Sequence, residues 1–196
     1  MAISVFALFT IGIGPSSSHT VGPMRAARQF ARALQASGCL ERVSGVRVHL
    51  YGSLAATGRG HGTHRALMLG LEGETAEGVD VDLLPARVAA IADARRLNLL
   101  GRHGVPFDPD ADLIFERSGQ LPGHPNGMRF VARTAGGAVL DERIYYSVGG
   151  GFVAGADEAG RPVLVERDTS VPLPFSTGEE LLALCARHEL AISGAM

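Results

Sequence analysis

The 196-residue chain is 46% hydrophobic and 19% charged, with a formal net charge of −2. That length can bury a real core in one large domain or one and a half, and nothing in the charge balance suggests nucleic acid. No apolar run approaches the ~18 residues that a membrane span requires. All 18 basic residues are arginine, so the lysine that a pyridoxal phosphate Schiff base needs is missing. Cys39 and Cys185 are isolated, so they supply neither a zinc ribbon nor a complete iron–sulfur site, and both read as buried fillers. The apolar first 14 residues lack a basic leader region and a small-residue cleavage site, so the expected location is the cytoplasm.

Residues 4–9 read as a short apolar helix or strand leading into a Gly-Pro loop at 12–15. Ser16, Ser17, Ser18, His19 and Thr20 follow, and residues 21–37 then predict an amphipathic helix. Met24, Ala27, Phe30, Ala31 and Leu34 recur at helical spacing, with Arg25, Arg28 and Arg32 on another face. Ser18 or Thr20 is the expected N-cap, Pro23 suits the first turn and Gly38 the stop. Hydroxyls, an imidazole and free N–H groups thus gather at a helix N-terminus, which favours a carboxylate or phosphate. An ordinary serine-rich cap is the alternative.

Residues 43–51 alternate Val46, Val48 and Leu50 against Arg47, His49 and Tyr51, as a half-buried strand with a solvent-side His49 does. Residues 52–65, GSLAATGRGHGTHR, read as a glycine-rich loop that lets backbone approach a ligand, with a helix starting near Thr63. His61 and His64 lie three apart, but Gly62 between them and the lack of H-E-x-x-H argue against a zinc pair. A helix over 84–95 and short strands over 105–107 and 112–116 come next, with turn chemistry at Asp108, Pro109 and Asp110. Residues 121–127, LPGHPNG, form a third loop with a histidine, His124. Strands over 128–132 and 139–148 predict an antiparallel hairpin, ended by Gly149, Gly150 and Gly151, with a further turn at 157–160. Residues 171–175 look like a linker. Ser176 and Glu179 read as a capping box opening a last helix over 179–187. The end at residue 196 reads as a truncation or as a subunit whose remainder is elsewhere.

If the three histidine-bearing loops converge, they can hold a carboxylate and move a proton near neutral pH. The stretches GIGPSSSHTVGPMRAA, YGSLAATGRGHGTHRA, HPNGMRF and YYSVGGGF, in this order and spacing, closely resemble the N-terminal beta portion of iron–sulfur-dependent bacterial L-serine dehydratases, also called L-serine ammonia-lyases. The resemblance implies a beta domain over 1–155 and a connecting segment with a terminal helix over 156–196. The catalytic alpha domain or subunit, whose cysteines hold a [4Fe-4S] cluster, is absent from this chain. The implied fold is α+β, a mixed or antiparallel sheet with packed helices, similar to the allosteric substrate-binding domain of phosphoglycerate dehydrogenases.

The implied reaction deaminates L-serine to pyruvate and ammonia. Cluster iron polarises the hydroxyl while a base removes the α-proton. The same resemblance implies catalytic roles for His61, His19 and His124, with His61 as the base. Substrate binding falls to Ser16, Ser17, Ser18, Thr20, Thr63 and Asn126, and the enzyme is expected to be a homo-oligomer. The chain departs from the family at His64, where the pattern G-H-G-T-D has aspartate. The competing expectation is a regulatory amino-acid-binding domain with structural or ligand-sensing histidines. A self-contained zinc hydrolase is weaker still, because no carboxylate accompanies the histidine loops.

Overall fold

The computed structural model describes residues 11–164, 173–175 and 177–195. These fall into two compact units, one over 11–164 and one within the C-terminal residues. In the first, helix α1 (Val21–Ala36) buries Met24, Ala27, Phe30, Ala31 and Leu34 as their spacing requires. It ends at Gly38, whose φ of 68° an L side chain would disfavour. A 3-10 turn (Leu40–Arg42) leads to strand β1 (Gly45–Tyr51), with Val46, Val48 and Leu50 turned inward.

Helices α2 (Gly52–His61) and α3 (Thr63–Leu71) follow, separated only by Gly62 at φ 80°. Then come α4 (Leu84–Ala94), the hairpin β2 (Arg96–Leu99) and β3 (His103–Pro106), and the short helix α5 (Pro109–Asp112). Strand β4 (Leu113–Glu116) precedes a run of antiparallel strands, β5 (Gly127–Arg133), β6 (Val139–Gly149), β7 (Phe152–Ala156) and β8 (Pro162–Leu164). The main sheet has the order β4-β1-β5-β6-β7-β8. Among the described residues its one parallel pair is β1 with β4, where Val48 faces Leu113. The fold is therefore α+β with a mixed sheet.

Helix α1 lies over the sheet. Phe30 meets Phe130 at 5.2 Å between ring centres, and Phe130 meets Tyr145 edge-on at 5.7 Å. That aromatic run ties helix to sheet at the middle of the core. On its other side α1 receives α3, at a crossing narrow enough to require Gly70. A Cβ there would run into the Met24 carbonyl and stand 2.9 Å from the Ala27 Cβ.

Several expectations need correction. Residues 52–61 are helical, not a loop. Their glycines are tolerated because Leu54, Ala55 and Gly58 pack inward, and tertiary packing overrides weak propensity. Strand β2 was not foreseen, although Leu97 and Leu99 alternate as buried positions. The Asp108–Asp110 turn opens into α5, with the Asp108 carboxylate accepting from the Asp110 N–H. The helix expected over 84–95 forms as α4, and of its apolar positions Val88, Ala89, Ile91 and Ala92 only Ile91 is buried. His49 is not simply solvent-facing, since its Nδ1 lies 2.8 Å from the Glu116 carboxylate. Cys185 is buried but Cys39 is only half-buried. Residues 4–9 and Ser176 lie outside the described residues.

In the C-terminal unit, α6 (Gly178–His188) opens on a capping box formed by Thr177 and Glu180, one residue later than expected. The short α7 (Ile192–Ala195) follows it.

The α1–α3 crossing yields a paired test. Alanine at Gly70 gains up to about 1 kcal/mol of helix propensity but overpacks the crossing at a cost of about 1–3 kcal/mol. Denaturant unfolding should therefore show Gly70→Ala destabilised. Gly60→Ala, where a Cβ meets nothing within 4 Å, should be neutral or stabilised.

Candidate active site

The site is built around His19, which is only 8% exposed. Residues 17–20 form a turn that runs directly into α1. The N–H groups of His19 and Thr20 both donate to the Ser16 carbonyl, and that of Gly22 to the Ser17 carbonyl. Those backbone donors, expected to be free for an anion, are therefore already used. The N-cap position falls on Thr20, but its hydroxyl makes no cap bond and donates to the Ser16 carbonyl at 2.6 Å.

The His19 ring is enclosed by hydroxyls. Nδ1 lies 3.0 Å from Ser18 Oγ and 3.4 Å from Ser16 Oγ. Nε2 lies 3.2 Å from Ser53 Oγ and 3.1 Å from Thr57 Oγ1. Thr57 donates its own proton to the Ser53 carbonyl at 3.0 Å, so toward His19 it accepts. The proton of neutral His19 therefore sits on Nε2, and Nδ1 accepts from Ser18. Burial, then the nearby His61, hold the His19 pKa below the usual histidine value, with partial opposition from Ser53.

Because 52–61 is a helix, Ser53, Thr57 and His61 recur every four residues on one face. The His61 ring stands 4.8 Å from that of His19, tilted by 44°. Its Nδ1 lies 2.9 Å from the Thr57 carbonyl, an atom that only accepts. Nδ1 of His61 thus carries the proton, and in the neutral ring Nε2 presents an unshared pair. A proton acceptor is poised beside a partner imidazole that burial keeps neutral.

Thr63 is fully buried and donates to the His19 carbonyl at 2.6 Å, fastening the start of α3 to the serine turn. Ser17 is half-buried. The loop carrying His124 reaches the same region through its backbone. The Pro125 carbonyl accepts from the Ser53 N–H at 2.9 Å, and a Cβ on Gly52 would strike that carbonyl. His124 itself is half-buried, its Nδ1 accepting from the Asn126 N–H at 3.1 Å, and no described contact joins its ring to His19 or His61. Asn126 is buried and donates through Nδ2 to the Ser147 carbonyl at 3.1 Å, leaving Oδ1 without a described partner.

Two members of the site escaped the sequence, Ser53 and Thr57. Their four-residue spacing from His61 was the available signal, hidden by reading the segment as a loop. His64 lies beyond the break at Gly62, and its buried Nδ1 has no partner among the described residues. Burial, then Arg65 and Arg59, lower its pKa, against the opposing pull of Asp110.

Among the described residues, no three histidine, cysteine or acidic side chains are grouped to hold a metal ion. The two cysteines also fall short of the thiolate set that a [4Fe-4S] cluster takes. The donor set of this chain does not fit such a cluster.

The α+β domain thus presents paired histidines within a hydroxyl collar. The family model for the serine dehydratase beta chain matches residues 4–158, and the chain belongs to that family. It is 53% identical over its full length to an L-serine dehydratase of Streptomyces coelicolor, covering 43% of that protein. It is 47% identical over 195 residues to an L-serine dehydratase of Mycobacterium tuberculosis, and 44% identical over 193 residues to L-serine dehydratase 1 of Escherichia coli. In those two cases it covers all and 98% of this chain and 42% of the relative. The chain thus spans less than half the length of these relatives.

The lowered pKa values of His19 and His64 give stability a definite pH dependence. The unfolded chain takes up protons near pH ~6.5, while the folded chain resists protonation at both rings. Stability should therefore be full above that pH and fall as the pH drops through it. Thermal midpoints measured from pH ~8 down to ~5 should decline, and His64→Asn should make the decline shallower. A flat profile in the parent chain would contradict this account.

Proposed function

We propose that this chain is the beta portion of an L-serine dehydratase and supplies the base for α-proton removal, His61. The observation that carries the reading is the His19–His61 pair, with His61 Nε2 left as an open acceptor while neutral His19 is saturated by hydroxyls. The names of the relatives support serine as the substrate.

The α-proton of serine passes to His61 Nε2 as the Cα–H bond breaks. The Cβ–O bond breaks, the departing hydroxide takes up a proton from solvent to leave as water, and His61 returns its acquired proton to solvent, leaving an aminoacrylate. This tautomerises to the imine, whose hydrolysis gives pyruvate and ammonia. Activation of the departing hydroxyl is left to a cluster-bearing alpha portion outside this chain. Ser16 and Ser17 hold the substrate carboxylate through their hydroxyls, since the adjoining backbone donors are used, while Ser18, whose one proton goes to His19 Nδ1, orients that ring beside them. Thr20 and Thr63 serve this site by fixing the serine turn. Asn126 and His124 approach the substrate from the loop that abuts Ser53.

A general base contributes about 10²–10⁴-fold. In a full-length enzyme containing this segment, His61→Ala should lower kcat by that order with the cluster spectrum unchanged, and should abolish exchange of α-deuterium into solvent. Retained exchange and near-normal kcat would reassign the base. Replacing Ser17 and Ser18 with alanine should raise the KM for serine more than it lowers kcat. If catalysis is untouched by all these changes while serine still binds the isolated chain, the domain is a regulatory amino-acid sensor instead.

A further inference from the structure

A second polar cleft lies away from the histidines, between α4 and the outer face of the β2–β3 hairpin, with a volume of about 540 Å³. The hairpin buries Leu97, Leu99 and Val105 on its inner face. Strand alternation therefore leaves Arg96 and Asn98 outward, with Arg102 in the connection. Arg87 also lines the cleft, but its charge is matched by Glu74 at 2.6 Å and Glu72 at 3.0 Å. Glu72, the carboxylate in the cleft wall, is occupied twice over, since its other oxygen accepts from the Asn98 N–H at 3.3 Å. Arg96 and Arg102 have no acidic partner among the described residues. The cleft therefore carries two uncompensated guanidinium groups.

Gly104 shows that one of them is seated there. Its φ is not positive, so the backbone does not demand glycine. A Cβ at Gly104 would instead lie 2.7 Å from both Cζ and Nε of Arg96. The missing side chain leaves room for the Arg96 guanidinium beside Gly104, and no described residue accepts from its donors. Ala90, Ile91 and Ala94 line the opposite wall and offer a surface for a short carbon skeleton.

We propose that the cleft framed by Arg96, Arg102 and Gly104 binds a small dianion, a dicarboxylate or a phosphate, at a site separate from the histidine cluster. Planar guanidinium forks match either oxyanion through paired N–H donors.

Calorimetric titration of the 196-residue chain with succinate, and separately with inorganic phosphate, tests this. At least one probe should bind saturably, and the tighter one identifies which oxyanion the cleft prefers. Each of Arg96→Gln and Arg102→Gln should weaken binding about tenfold or more, the loss expected for a charge-assisted contact. Both side chains are exposed, so their thermal midpoints should stay put. Gly104→Ala should weaken binding by displacing Arg96, whereas His61→Ala should leave it unchanged. The proposal is overturned if neither probe binds, if both glutamine variants bind like the parent, or if His61→Ala removes binding that Arg96→Gln retains.

Discussion

The bond on which the site depends is the one from the Thr63 hydroxyl to the His19 carbonyl. It is fully buried and 2.6 Å long. Thr63 opens α3 immediately after the break at Gly62, and its hydroxyl also sits where a Cβ on Gly58 of α2 would intrude, at 2.9 Å. One side chain thus fixes the angle between two helices and the position of the serine turn. Without it, a buried carbonyl would lose its partner, typically a cost of about 1–3 kcal/mol. The His19 ring would also lose its registration against Ser53 and Thr57.

The hydroxyl collar has an electrostatic purpose that a carboxylate could not serve. A carboxylate beside His19 would favour the imidazolium, and the pair would then confront His61 with a positive charge at 4.8 Å. Serine and threonine hydroxyls satisfy both ring nitrogens while leaving the ring uncharged. His61, its Nδ1 committed to the Thr57 carbonyl, therefore faces an uncharged neighbour.

The sequence disclosed this arrangement unevenly. The amphipathic spacing of Met24, Phe30 and Leu34 specified α1, and Val46, Val48 and Leu50 specified β1, because both patterns encode burial directly. Residues 52–61 were misread because glycine content argues against a helix when judged locally. The packing that rescues it, Gly58 against Thr63 and Phe115, connects residues from separate elements. Once the helix was missed, so were Ser53 and Thr57, whose relevance appears only at helical spacing. The free backbone donors expected before α1 failed for a related reason: the serine turn supplies its own carbonyls. The His124 loop reaches the site through the Pro125 carbonyl, and the His124 Nδ1 accepts from the Asn126 N–H within the turn.

The parallel pairing in the sheet has a consequence for the order in which the molecule comes together. Strands β5 to β8 pair with their sequence neighbours, and Arg133 meets Val139 across a short turn. Val48 must instead find Leu113 after α2, α3, α4, the small hairpin and α5 have been threaded between them. On chain-closure grounds alone that junction costs about 2 kcal/mol more than the hairpin. Contacts so distant along the chain are those that slow folding. The meander can condense as a local unit, but the histidine pair needs the serine turn, the end of β1 and the loop at Pro125 together. Its geometry therefore rests on contacts between residues far apart in the chain, as Ser53 and Pro125 are.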